Sequence, residues 1–227
     1  MAANLDPSLV RLYRDAADDD TFLYIDESYS IPDEYERGSF YILSAVKLRH
    51  ADLDATREIL RTTADSDRWH TTEELRTFDG KKRTVEMLEQ LHSWGDEHFI
   101  SIEVPLPNEN DHEQARGDCL RALVEHAYGK TQDTYPSGLI FEKRLKKIED
   151  DRDRRLIKKL RKEGLLPQEA GTAWVSPSAE RLLWAPDITC MIYRRQITHK
   201  GKDETGEYFE TYLEKQSTII RATPLDK

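Results

Sequence analysis

The sequence is short of cysteine, of long apolar runs and of net positive charge, and each shortage narrows what the chain can be. Its two cysteines, Cys119 and Cys190, lie far apart among 227 residues. Neither has the C-x-x-C partner that a structural zinc site or a thiol redox site needs, so both read as buried thiols. No apolar run approaches the roughly 18–20 residues that span a bilayer, and Met1–Leu12 lacks the basic end and apolar core of a secretion signal. The expectation is a cytoplasmic protein with no membrane contact. Apolar residues make up 37% of the chain and charged residues 34%, against about 45–50% and 25% in an average soluble domain, which marks a hydrophilic protein. Forty-four acids outnumber 34 bases and leave a net charge of −10. That balance disfavours the sequence-independent attraction to nucleic acid, which comes from Lys and Arg meeting phosphates. With no internal repeat and no Pro/Gly/Ser linker, residues 1–227 read as one domain.

Hydrophobic patterning supplies the elements. Phe22, Leu23, Tyr24 and Ile25 form a nearly continuous apolar run, which predicts a strand over Thr21–Asp26 covered on both faces. It meets acid abruptly at Asp26 and Glu27. After a polar stretch containing Pro32 and Gly38, the β-branched and aromatic Ser39–Leu48 predicts a hairpin partner. Leu53, Ile59 and Leu60 suit a helix over Ala51–Thr63, and Trp69–Glu74 reads as a loop leading into a turn. Val85, Leu88 and Leu91 stripe a helix over Lys82–Trp94 that Gly95 stops. A strand over Phe99–Val104 is closed by Pro105 and Pro107, a helix covers Glu113–Tyr128, and a fourth strand, Gly138–Phe141, ends at Glu142. A charged helix from about Glu149 to Glu163, a fifth strand at Thr172–Val175 and a helix over Pro177–Gln196 interrupted by Pro186 complete the pattern. An antiparallel pair followed by β-α-β units implies an α/β fold with a mixed five-stranded sheet flanked by helices. The core would span 20–198 with a helical insertion at 49–95 after the second strand, and 199–227 would be an extension anchored by Tyr208 and Tyr212.

Three acids occupy telling places: Asp26 and Glu142 at strand ends, and Asp187 at a helix turn. Ligands of α/β sheets gather beyond the carboxyl ends of strands, so acids there can converge without being close in sequence. Converging carboxylates repel one another unless a cation stands among them, and oxygen-only sets suit Mg²⁺ or Mn²⁺. Each acid also has an ordinary reading, as a solvated turn residue or, for Asp187, as a complement to a helix dipole. Glu27 should point away from Asp26, because neighbouring strand residues alternate faces. His70 and Glu73 would share a face if their segment turned helical, giving a proton shuttle or an extra metal ligand. Lys143–Lys162 holds eleven bases and four acids, the exception to the acidic balance. Lys143, Arg144, Lys146, Lys147, Arg152, Arg154 and Arg155 could track the phosphates of a polynucleotide beside Glu142, or form a solvated helix laced with opposite charges.

Phe22-Leu23-Tyr24-Ile25-Asp26-Glu27-Ser28 followed by Tyr41-Ile42-Leu43-Ser44-Ala45-Val46 resembles the opening of a bacterial family, domain of unknown function 3800, whose fold is ribonuclease H-like. The likeness continues through Trp69-His70 with Glu73, through Leu139-Ile140-Phe141-Glu142 with Asp150 and Asp153 before Arg154-Arg155, and through Glu180-Arg181-Leu182-Leu183-Trp184-Ala185-Pro186-Asp187, close to a segment of actinobacterial members. It spans about Thr21 to Arg195. The resemblance implies a five-stranded ribonuclease H-like sheet with Asp26 on the first strand, Glu142 after the fourth and Asp187 in the last helix. These would be ligands of two Mg²⁺ or Mn²⁺ ions, Asp153 an outer ligand, and His70 and Glu73 neighbours. It implies a metal-dependent nuclease hydrolysing phosphodiester bonds of DNA or RNA. A catalytically silent module of a mobile-element or phage-defence system, binding nucleic acid or a protein partner, is the alternative. Two departures stand out: the helix after the third strand offers only Glu113, Asp118 and Glu125 where such nucleases carry a glutamate, and Tyr29 follows Ser28 where the family often has glycine.

Overall fold

The structure, a computed structural model, describes residues 5–30, 39–106, 112–129 and 134–222; Pro32, Gly38 and Pro107 lie outside the described residues. The fold is α/β, with helices on both faces of one mixed sheet. The strands are β1 (Thr21–Ser30), β2 (Phe40–Arg49), β3 (Glu97–Glu103), β4 (Gly138–Glu142), β5 (Gly171–Val175) and β6 (Ser217–Arg221), in spatial order β5-β4-β1-β2-β3-β6. β1–β2 and β2–β3 are antiparallel, whereas β1–β4, β4–β5 and β3–β6 are parallel. The helices are α1 (Pro7–Tyr13), α2 (Leu53–Ala64), α3 (Thr71–Glu74), α4 (Phe78–Trp94), α5 (His112–Ala127), α6 (Lys147–Lys162) and α7 (Trp184–His199).

The apolar run of β1 is buried on both faces because each face has its own helical layer. Phe22 and Tyr24 join Ile42, Ile140, Leu60, Leu88, Trp184 and Ile188 in one core, with α2, α4 and α7. Leu23 and Ile25 join Leu43, Leu139, Phe141, Leu123, Val124 and Leu160 in the other, with α5 and α6. Both cysteines are buried free thiols, one in each layer.

Three expectations change. β1 does not stop at Asp26: its antiparallel pairing with β2 continues from Asp26↔Ser44 to Ser30↔Phe40, whereas the parallel pairing with β4 ends at Ile25↔Phe141. Asp26 therefore sits where a neighbouring strand runs out, not where its own does. Pro186 does not interrupt the last helix, because it is the third residue of α7, in the first turn, where a backbone N–H has no intrahelical acceptor to lose.

The sheet has six strands, not five. β6 comes from the extension and runs beside β3 from His98↔Ser217 to Ile102↔Arg221, covering backbone groups that an open edge would leave unpaired. Its side chains are mostly exposed, so it lacks the apolar alternation by which a strand is read. The extension is held by Phe209 and Leu213, both buried in the α7-side core, with Tyr208 and Tyr212 packed at its margin. Among the described residues no helix is long and apolar enough to cross a membrane.

Candidate active site

The register of β1 and β4 builds the floor of the site. One step beyond Ile25↔Phe141 come Asp26 and Glu142, on the same face of strands that lie about 4.8 Å apart. Their carboxyl groups are close enough to influence each other's ionisation. Two carboxyl groups so placed must share a proton or a cation. Asp187, in the first turn of α7, stands over the same face, and all three acids line a cleft of about 630 Å³. Burial lifts the Asp26 carboxyl well above its ordinary range, and the charges of Glu142, Asp187 and Glu27 lift it further. Glu142 is pushed up to about 7, first by burial and then by Asp187 and Glu27. Burial also raises Asp187, against the pull of Thr71 and His70.

Asp187 is held by the insertion. The Thr71 backbone N–H, a free donor of the first turn of α3, reaches Oδ2 at 2.9 Å, and the Thr71 hydroxyl donates to the same oxygen at 2.8 Å. Trp69 Nε1–H in turn donates to the Thr71 hydroxyl at 2.9 Å, and its ring packs near Trp184 at 6.5 Å. His70 lies on the rim of the cleft, its side chain 59% exposed and Nδ1 at 3.9 Å from Asp187 Oδ1. Glu73 is exposed and does not line the cleft. The segment marked by His70 and Glu73 thus touches the acid through Thr71.

Glu27 lies on the opposite face of β1 from Asp26, as the pleat requires, and meets a buried ionic layer. Arg116 of α5 pairs with Glu27, forks onto Asp153 with bonds of 2.9 and 2.8 Å, and reaches the Tyr41 hydroxyl at 3.2 Å. Asp153 is therefore corrected as an outer metal ligand: it is buried, both its oxygens accept from Arg116, and it is not part of the cleft wall.

The basic stretch divides in the same way. Arg144 lines the cleft but is forked onto Glu113 at 2.6 and 3.1 Å, and Arg152 lies 3.3 Å from the same acid. Arg154 sits over the Trp174 ring at 4.6 Å and 3.2 Å from Asp151. Lys143 and Lys146 line the cleft; Lys147 and Arg155 are exposed elsewhere. Glu113, the candidate extra acid of α5, is thus occupied by two arginines, and Asp118 accepts from Gln114. Tyr29 lines the cleft with its ring stacked on Tyr41 at 5.5 Å and near His112 at 5.9 Å.

The cleft also holds Arg194, which no strand end or motif marks. Cys190, Met191 and Arg194 follow Asp187 at helical spacings of three, four and seven, and all four line the cleft. The 3.6-residue period, applied from Asp187 onward, would have exposed Arg194.

An oxygen-only donor set suits Mg²⁺ or Mn²⁺, and the Asp26–Glu142 pair fits such an ion: a buried acid beside a half-buried one, their charges opposed, with no cationic partner among the described residues. Asp187 adds a third carboxylate at the rim with one oxygen engaged by Thr71. Among the described residues no group of three or more His, Cys, Asp or Glu side chains is already gathered as a metal nest. No protein-family model matches the chain, and no curated protein matches it either.

Proposed function

We propose that this protein is a divalent-metal-dependent nuclease of ribonuclease H-like fold, related to the domain of unknown function 3800 proteins, that hydrolyses phosphodiester bonds of DNA or RNA. The observation that carries the reading is the meeting of Asp26, Glu142 and Asp187 in one cleft from three distant parts of the chain. The order β5-β4-β1-β2-β3 within the sheet, with acids on the first strand, at the end of the fourth and in the last long helix, supports the fold relationship. Asp26 and Glu142 would hold Mg²⁺ or Mn²⁺, with Asp187 as the third acid. A bound ion of this kind supplies a lowered pKa for water and Lewis acidity toward a phosphate oxygen. Thr71 orients the Asp187 carboxylate, which faces His70 on the rim, where that imidazole can take or give a proton. Lys143 and Lys146 stand on the wall beside Glu142 and attract the phosphates of a strand, fixing its register and not its sequence.

The test is cleavage of single- and double-stranded DNA, RNA and hybrids with Mg²⁺ or Mn²⁺ by the native protein, Asp26→Asn and Asp187→Asn. The native protein should cleave at least one substrate, and each variant should lose more than the roughly 10–100-fold that changes to outer neighbours of a metal cost. Equal activity in all three overturns the reading. The silent-module alternative draws on one observation, the double engagement of Asp187 Oδ2 by Thr71. Calorimetric titration with Mn²⁺ that shows no binding dependent on Asp26 and Glu142 would favour it.

A further inference from the structure

We infer that Arg194 is a phosphate-binding residue of the cleft, taking a backbone phosphate of the strand next to the one that lies over Asp26 and Glu142. The inference rests on the nuclease reading and adds to it a positioning residue held against β1 and β2, whereas Lys143 and Lys146 follow β4.

Arg194 lies two helical turns beyond Asp187 on α7 and is half-buried in the wall of the cleft. Its Nη1 donates to the Ser28 hydroxyl at 3.2 Å and the Tyr29 carbonyl at 3.3 Å, and the guanidinium lies 5.7 Å from the centre of the Phe40 ring. All three neighbours are uncharged. Among the described residues no carboxylate pairs with it, whereas the three most deeply buried arginines each have one: Arg57 meets Glu180, Arg116 meets Asp153 and Arg144 meets Glu113. A guanidinium taken partly out of water without an anion gives up hydration with no opposite charge to offset it. Burial accordingly depresses its pKa, with Arg195 adding to the effect and Cys190 opposing it.

The anion that fits offers two oxygens to the planar guanidinium and carries full charge, as a backbone phosphate does. Ser28 stands two residues beyond Asp26 on the same face of β1, about 7 Å along the strand. That offset places the guanidinium beside the acids without pairing it to them. A polynucleotide crossing the acidic floor would then meet Arg194 beside β1 and β2, and Lys143 and Lys146 beyond β4. A single phosphate held over the acids would leave one of these sets unused.

The experiment measures binding of a short fluorescent single-stranded DNA, and of the same sequence as RNA, by anisotropy in metal-free buffer between about 50 and 200 mM salt. It compares native protein, Arg194→Gln, Arg194→Lys and Arg195→Gln, with thermal melting of each. Arg194→Gln should weaken binding about tenfold, the worth of a charge-assisted hydrogen bond, and reduce the slope of log affinity against log salt by about 0.7, one phosphate contact on a single strand. Arg194→Lys should keep the slope and lose affinity, because a point charge cannot fork. Arg195→Gln removes the same charge one position along α7, outside the cleft wall, and should change both quantities less.

Native affinity and slope in Arg194→Gln, or an equal loss in Arg195→Gln, overturns the assignment of Arg194 alone. If Arg194→Gln melts too low to assay, Arg194→Lys decides, and unchanged affinity overturns the assignment. If the native protein binds neither oligonucleotide at the lowest salt, this inference falls, and the cleavage panel with Mg²⁺ or Mn²⁺ decides the nuclease reading separately.

Discussion

Asp26 and Glu142 show how the same pair of side chains can burden the fold and serve a site. Glu142 holds its proton up to about pH 7 in the folded chain, from an ordinary value of 4.5, so between those values the folded state binds more protons than the unfolded one and stability falls as pH rises. Asp26 is shifted in the same direction by burial and by the same neighbours. Asp26→Asn removes a buried carboxyl and with it the repulsion that Asp26 meets from Glu142. In metal-free buffer this variant should melt above the native protein, and the gap should widen from about pH 5 to about pH 8; a constant gap would mean that the carboxylates do not repel. Mn²⁺ should raise the melting point of the native protein at the higher pH and leave the variant nearly unmoved. His98, buried and held neutral with its pKa lowered to about 3, gives a slope of the opposite sign, with stability lost as pH falls below about 6.5, but it is common to both proteins and cancels in the comparison.

Thr71 acts through Asp187. Thr71→Val should cost about 1 kcal/mol of stability and lower metal-dependent activity about 10–100-fold, with Thr71→Ser restoring most of it. Activity equal to native in Thr71→Val would reduce Thr71 to a packing residue. The acids were legible because each ends an apolar run or opens a helix. Thr71 was not, because a threonine in a polar loop carries no mark of the carboxylate that will meet it.

At the level of elements, α6 is where composition misleads most. Its bases outnumber its acids, and as a string it reads as a basic surface. In the fold, Arg152 turns to Glu113 of α5 together with Arg144 just before the helix, Arg154 covers Trp174, and Asp153 receives Arg116. The excess that faces the cleft is Lys143 and Lys146, which precede the helix. Arg116 is the residue that fastens α5 to α6 and to the back of β1. Arg116→Leu leaves the buried Asp153 without a cation and Glu27 with only Arg144 at 3.7 Å, and should destabilise the protein by about 3–5 kcal/mol in urea unfolding. Adding Glu27→Gln and Asp153→Asn should recover much of that loss, since the cost lies in the stranded charges and not in the missing contact. A triple variant no better than the single one would show that Arg116 works mainly by packing. By contrast β1 is plain from its sequence: a run with no polar interruption fits a strand covered on both sides, and the two helical layers on Phe22 and Leu23 supply that cover.

Across the whole molecule, the extension is part of the fold and its two halves do different work. Residues 204–216 bring Phe209 and Leu213 into the α7-side core, and Gln216 lies 3.2 Å from His98 Nε2, whose Nδ1 meets Thr189 of α7 at 2.8 Å. β6 adds mostly exposed side chains and a backbone ladder on β3. A chain ending at Gln216 should therefore fold with a modest loss and an open β3 edge prone to self-association. A chain ending at Asp203 gives up two buried side chains worth about 2–5 kcal/mol each and should be strongly destabilised. Comparable melting points for the two truncations would contradict this division.

The sequence by itself determined the α/β class, the first five strands with their order along the chain, the buried cysteines and the three acids. These depend on local hydrophobic periodicity and on where it breaks, information carried by residues a few positions apart. The tertiary structure alone decided which charges cancel and which remain available. Arg116 and Glu27 are 89 positions apart, Thr71 and Asp187 are 116, and Arg194 and Ser28 are 166. Whether a charge is spent on a neighbour or left facing a cleft depends on distances of a few ångströms that no spacing along the chain encodes.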